Sequence, residues 1–248
     1  MTMIPPAAGR AAIARSFAVQ ASWNYETLIG NGFAFTLLPA LRSIHGPDGT
    51  ALEAAIARHA RVFNSHPYLV TLAAGAVAKL EADRVAPDVI ERFKSAIRGS
   101  LGSLGDRLVW SAWRPASLLL GLVVFLVGAP WWAAAAAFLL THNALHLTLR
   151  LWGWKIGSEN GLQVAAVLKQ SPLRVLGDRA EDAGALLCGA AVVLVLAPGG
   201  FGELDLLTVI VVSVGAALGV WMGTTTRRWA GAAAVATWVS GVVLGLVI

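Results

Sequence analysis

Apolar residues follow two patterns along this chain. From residue 116 onward they form long runs, over 116–128, 130–149, 183–197, 206–222 and 229–248. A helix that crosses a bilayer needs about 20 predominantly apolar residues, so the last three runs are long enough, or nearly so, to span. Polar positions inside 130–149 are confined to Thr141, His142, Asn143, His146 and Thr148, and the stretch 151–179 that follows is polar and glycine-containing. Before residue 116 the apolar runs are shorter. Phe17 to Leu41 contains Asn24, Glu26, Gly30 and Gly32 and ends at Pro39 and Arg42. It reads as a helix or broken hairpin at membrane depth. The pattern divides the chain into a polar, motif-bearing half over 1–115 and a transmembrane helical half over 116–248. It predicts an all-α integral membrane protein, a multi-helix bundle with broken or re-entrant helices.

Local signals place the shorter elements. Gly46-Pro-Asp-Gly49 is a turn. Thr50-Ala-Leu-Glu53 matches a capping box, with Thr50 as N-cap and Glu53 reaching back. Leu52, Ile56, His59 and Phe63 lie on one face of the helix that follows, and Pro67 is expected to stop it. Pro87 starts another helix, with Asp88 and Glu91 in its first turn and Lys94 and Arg98 in its last. Ile90, Phe93 and Ile97 line one side of it. This amphipathic helix is expected to end at Gly99 and to lie at the membrane surface or between subunits. Its basic end, Lys94 and Arg98, would meet soluble components or lipid headgroups.

Composition supports the membrane reading. The 248 residues are 57% hydrophobic and only 13% charged, against about 25% charged in soluble domains, and mean hydropathy is +0.68. The net charge of +5 fits cytoplasmic Lys/Arg flanks, with Arg227 and Arg228 as one candidate connector. It forms no basic stripe of the kind nucleic acid requires. Tryptophans at the run ends, Trp131, Trp132, Trp152, Trp154, Trp221 and Trp229, match an interfacial belt. The lone Cys188 excludes an intramolecular disulfide. Residues 1–15 have no apolar core of a signal peptide, so insertion is expected to use internal segments, with the N-terminus in the cytoplasm.

Candidate chemistry gathers in three polar clusters: 20–26, 58–68 and 99–115. Carboxylates are costly at membrane depth and need partners, which singles out Glu26 and Asp106. Trp23, Asn24, Tyr25 and Glu26 combine ring faces on which a pyranose can stack with a carboxylate that accepts hydroxyl hydrogen bonds. Ion pairs are the alternative, Glu26 with Arg15 or Arg58 and Asp106 with Arg107 or Arg114. Asn64 and His66 stand at a helix break, where irregular backbone lines a cavity or is buried in protein. His59, on the apolar face, is expected to be structural. Gly99, Gly102 and Gly105 before Asp106 suit a hinge or a loop, and without a following Lys-Ser/Thr they are no Walker A loop. His142 and His146 are four residues apart but lack a third ligand, so no metal is expected. No catalytic nucleophile stands out.

Ser22-Trp-Asn-Tyr-Glu26, Gly32-Phe-Ala-Phe35, Leu38-Pro-Ala-Leu-Arg42, Arg58-His59 and Phe63-Asn-Ser-His-Pro-Tyr68 resemble, in order and spacing, the N-terminal half of enzyme IID. This is the membrane subunit of the mannose/fructose/sorbose family of bacterial sugar phosphotransferase systems. Gly99 to Asp106, Trp110 and Arg114-Pro115 resemble that family's glycine-rich segment and the Arg-Pro that follows. Asn143 and the 151–157 stretch resemble a later helix more weakly. Thr27 and Leu28 stand where the family usually has Arg and Met, and Ser100, Gly102 and Arg107 also depart from its pattern.

The resemblance implies a bundle in the bacterial cytoplasmic (inner) membrane that crosses it several times. It implies an enzyme IIC partner, in a trimer of IIC–IID pairs, and cytoplasmic IIA and IIB proteins. These relay a phosphoryl group from phosphoenolpyruvate to a hexose as the sugar enters, by an elevator-like movement. It implies no cofactor and no phosphoryl-acceptor or catalytic residue in this chain, so the chain is not itself an enzyme. Trp23, Asn24, Glu26, Asn64 and His66 are then expected to line a sugar cavity shared with IIC, with Gly102, Gly105 and Asp106 as hinge or lining residues. The alternatives are a transport-deficient relative acting as a sensor or docking protein, and a membrane enzyme acting on a polar lipid or sugar.

Overall fold

The computed structural model describes residues 4–196. The expected spans over 206–222 and 229–248, with Arg227, Arg228, Trp221 and Trp229, lie outside the described residues. Helix α1 (Pro6–Ser16) is followed by an irregular turn, α2 (Gly30–His45), α3 (Thr50–His59) and α4 (Val70–Ala82). Next come α5 (Pro87–Gly105), a π-helical segment (Asp106–Trp113) and α6 (Arg114–Leu126). Helices α7 (Trp131–Asn160), α8 (Val164–Gln170) and α9 (Leu173–Leu196) complete the described chain. The described residues form no β-sheet, only single bridges from Leu28 to Asn24 and Phe63.

Helix α4 is the centre. All of it except Lys79 is buried, and its small residues from Ala73 to Ala78 make it apolar on every side, as a core helix is. It packs along α7 through a glycine seam. A Cβ on Gly157 would lie 2.2 Å from the Leu72 carbonyl oxygen, and one on Gly75 2.5 Å from that of Trp154. Small residues let helix backbones approach this closely. Phe33, Leu37 and Leu41 of α2, Phe63, Leu69, Ile90, Leu101 and Leu108 fill the space around α4.

Several boundaries differ from the sequence expectations. Gly49, with φ at 112°, caps α3 and Thr50 is already helical, so no side chain caps that end. Glu53 donates its backbone N–H to the Gly49 carbonyl. Helix α3 stops at His59, well before Pro67, because the chain turns to pair its backbone with the earlier turn: Ile29 N–H donates to Phe63 O and Phe63 N–H to Thr27 O. Helix α2 passes through Pro39. A proline in a helix leaves the carbonyl four residues back without its donor. That carbonyl belongs to Phe35, and Arg15 Nη1 donates to it at 3.4 Å.

The helix from Pro87 does not end at Gly99. It continues to Leu126, 40 residues in all, and is the one described helix long and apolar enough to cross a membrane. The 115/116 division therefore falls inside a continuous helix. Ahead of Pro115 the register widens, and Arg114 N–H bonds Val109 O, five residues back. The wider turn accommodates a ring that has no N–H and would clash with a carbonyl in α register. Likewise α7 runs unbroken to Asn160, through part of the polar stretch after residue 150.

Candidate functional site

Three of the sugar-site candidates share one turn. Asn24 builds it: its Oδ1 accepts the backbone N–H groups of Glu26 and Thr27 at 2.9 and 2.8 Å, and its Nδ2 donates to Thr27 Oγ1 at 2.9 Å. Leu28 takes the left-handed φ of 56°, a conformation uncommon outside glycine. The turn leaves Trp23 46% and Tyr25 89% exposed, their rings edge to face at 4.8 Å. Glu26 is exposed, and among the described residues its carboxylate has no partner. The alternative ion pairs of Glu26 with Arg15 or Arg58 do not form among the described residues, where Arg58 pairs with Glu81. Nor do those of Asp106 with Arg107 or Arg114, since Arg107 pairs with Asp178 and Glu181.

The backbone bridges that hold this turn to Phe63 bring Asn64 beside it, and Asn64 is also exposed. His66 is not with them. It is 1% exposed and lies among Tyr68, Trp110 and Gly105. The five candidates thus divide into an exposed aromatic-carboxylate turn with Asn64, and a buried imidazole.

His66 belongs to a polar ladder whose histidines stood out in the sequence and whose Arg150 did not. His142, His146 and Arg150 recur every four residues along one face of α7. The Tyr68 hydroxyl hydrogen-bonds His142 Nε2 at 3.0 Å, and its ring stacks on His146 at 3.8 Å. Arg150 donates to His146 Nε2 and to Ser16 Oγ, at 2.7 and 2.6 Å, and its guanidinium lies over Phe17. The ladder ties α1, the 60–69 segment and α7 together. Its signal was present in the sequence: an arginine in an apolar helix, in register with two histidines.

A second network fixes the ends of three helices. Glu81, 4% exposed, receives His45 Nε2 at 2.9 Å, His59 Nε2 at 2.9 Å and Arg58 at 2.5 Å. Burial works to raise its pKa, but the hydrogen bonds from His59 and Arg58 prevail and hold the carboxyl at about 2. Burial lowers the pKa of His59 against the pull of Glu81. His59 Nδ1 has no partner, so a neutral ring donating from Nε2 leaves no buried N–H unmet.

The basic-end expectation needs correction at Lys94. This residue is 2% exposed, paired with Glu91 and donating to the Arg58 carbonyl. Only Arg98 of the two faces solvent, because Lys94 falls on the apolar side with Ile90 and Ile97. The glycine segment is helical, not a loop. A Cβ on Gly105 would come within 2.2 Å of His66 Cβ, whereas Gly102 faces open space. Glycine in an open helix position costs roughly 0.5–1 kcal/mol relative to alanine. Gly102→Ala should therefore raise stability by about that amount, read as a denaturation midpoint, and a lowered midpoint would mean that the position is not open.

Residues 6–196 match the family described as "PTS system mannose/fructose/sorbose family IID component". The mannose-specific EIID component of Escherichia coli (strain K12) is 28% identical over 188 residues, 74% of this chain and 66% of that protein. The fructose permease IID component of Bacillus subtilis (strain 168) is 27% identical, over 72% of this chain and 66% of its own. The helices superpose on a cryo-EM structure of the mannose transporter ManYZ in complex with microcin E492, with TM-score 0.61, 27% identity, and coverage of 77% of this chain and 71% of that one. A structure described as a membrane protein matches with TM-score 0.67 and 26% identity, over 76% and 70%. The chain belongs to the mannose/fructose/sorbose family of phosphotransferase-system IID components. It spans just under two thirds of the length of the curated relatives it matches.

Proposed function

We propose that this chain is the IID subunit of a permease in the bacterial cytoplasmic membrane. With an IIC partner it moves a hexose inward while a IIB protein, recharged through IIA from phosphoenolpyruvate, phosphorylates the sugar. The family match over residues 6–196 carries the reading. The likeness to a mannose transporter complex supports a membrane partner and a helical bundle that crosses the bilayer more than once. The chain alone should not transport. Co-expression with its IIC and IIB partners should give hexose uptake that depends on phosphoenolpyruvate, and uptake by the single purified chain in liposomes would overturn the reading.

The exposed turn is the part of this subunit best suited to meet sugar at a boundary with IIC. Trp23 and Tyr25 offer ring faces, and Glu26 and Asn64 offer hydrogen-bonding groups not consumed by the fold. His66 then supports the neighbouring segment from within, packed on Gly105. A hydrogen bond to a charged group contributes about 1.5–3 kcal/mol, so Glu26→Gln should weaken hexose binding to the assembled IIC–IID complex about tenfold or more. Unchanged affinity with impaired assembly would make Glu26 an interface residue instead of a ligand.

A further inference from the structure

A groove between α5, the π segment, α8 and α9 has no role in the transport reading. Its volume is about 530 Å³ and its rim carries Arg107, Lys169 and Arg174 with the hydroxyl-bearing Ser100 and Ser103. Leu104, Leu108, Leu168 and Leu173 form its apolar wall. Among the described residues no carboxylate lines it. Arg107 is engaged by Asp178 and Glu181, but among the described residues nothing pairs with Lys169 or Arg174, both exposed. Two unpaired cations beside four leucines suit a ligand with an anionic head and an apolar tail.

The position of the groove selects the ligand further. Helix α9 runs alongside the π segment and α6 in the same direction: Gly177 lies against Leu108, and Gly184 against Ala116. Both helices of this pair turn apolar at one level, after Arg114 and after Asp182. The groove sits about two helical turns from that level, on the polar side, where headgroups lie if the helix from Pro87 to Leu126 crosses the bilayer. Trp110 and Trp113, between the two levels, are placed as interfacial anchors.

We propose that this groove binds the phosphodiester of an anionic phospholipid, with Lys169 and Arg174 on the phosphate and the leucines against the first carbons of its acyl chains. The inference rests on the membrane reading of the chain and not on its transport activity, so binding is measured without sugar. Native mass spectrometry on the full chain with its IIC partner in detergent should show retention of phosphatidylglycerol over phosphatidylcholine. Near a bilayer surface each cation changes anionic-lipid affinity about fivefold, so the double substitution Lys169→Gln with Arg174→Gln should lower phosphatidylglycerol affinity about thirtyfold. The charge-preserving pair Lys169→Arg with Arg174→Lys should retain it, and both variants should unfold at the native midpoint in lipid-free detergent. Equal retention of the two lipids, or an unchanged affinity in the glutamine pair, overturns the proposal. Displacement of the lipid by millimolar inorganic phosphate, with phosphate bound in its place, overturns the lipid assignment and makes the groove a site for free phosphate.

Discussion

Glu81→Ala is expected to destabilise the protein by about 3–5 kcal/mol, the usual cost of removing one partner from a buried charge network. The carboxylate is the only acceptor shared by His45 at the end of α2 and Arg58 and His59 at the end of α3, and it sits at the end of α4. Without it the Arg58 guanidinium remains largely buried, with side-chain exposure of 16%, next to two unpaired imidazoles. Among the described residues Arg58 Nε already lacks a partner, so the loss would add to a guanidinium that is not fully satisfied. Glu81→Gln preserves the shape and one acceptor oxygen and should fall between wild type and alanine. A chemical-denaturation series on the three proteins in one detergent measures this. An alanine variant within 1 kcal/mol of wild type would mean that solvent already screens the network.

The same network sets the acid limit of stability. Glu81 has its folded pKa depressed to about 2 from an ordinary 4.5. The unfolded chain therefore takes up this proton first as pH falls. The contribution of Glu81 is complete above about pH 4.5 and is lost between there and about pH 2. His59, whose pKa burial lowers from 6.5, acts in the same sense and begins to withdraw stability below about 6.5. Glu81→Gln should remove the lower step and leave the protein less sensitive to acid between pH 4.5 and 2, a difference visible in unfolding midpoints against pH.

The sequence made the composition, the family motifs and a few helix starts readable, because these depend on local patterns. Pro87 and the turn before Thr50 mark helix starts within a residue. What it hid depends on neighbours distant in the chain. Pro39 looks like a stop until Arg15, from another helix, satisfies the carbonyl it frees. Gly99 to Gly105 looks like a loop until Gly105 is seen to make room for His66. Lys94 looks like surface charge until Arg58 and Glu91 surround its ammonium. At the candidate site, Trp23, Asn24 and Glu26 were legible as one unit because they are adjacent. The separation of His66 from them was not, since it follows from burial against α5 and α7. Glu81 and Arg150 were the clearest omissions. Each is a single charge at or within an apolar run, which signals a buried partner without saying whose.

Gly157→Val is expected to cost about 3 kcal/mol or more, the upper part of the range for forcing atoms into a packed interior. Any Cβ at this position meets backbone on the facing helix: Leu72 O at 2.2 Å, Ala76 N at 2.7 Å and Gly75 Cα at 3.1 Å. Backbone cannot change rotamer, so α4 and α7 must move apart. Their separation would also loosen Gly153, whose own Cβ position is 2.7 Å from Thr71 Oγ1 and 3.0 Å from Leu72 N. Along α7 the ladder of His142, His146 and Arg150 would lose its register with Tyr68, because Tyr68 stands just before α4 and moves with it. The substitution should therefore lower the unfolding midpoint and break the Tyr68–His142 hydrogen bond together. Gly102→Ala, in the same background and facing open space, provides the control for adding a side chain to a helix. Gly157→Ala should show the same direction with a smaller loss. A Gly157→Val variant as stable as wild type would mean that the two helices do not pack at the separation described, and the seam would have to be abandoned as the element that aligns the ladder.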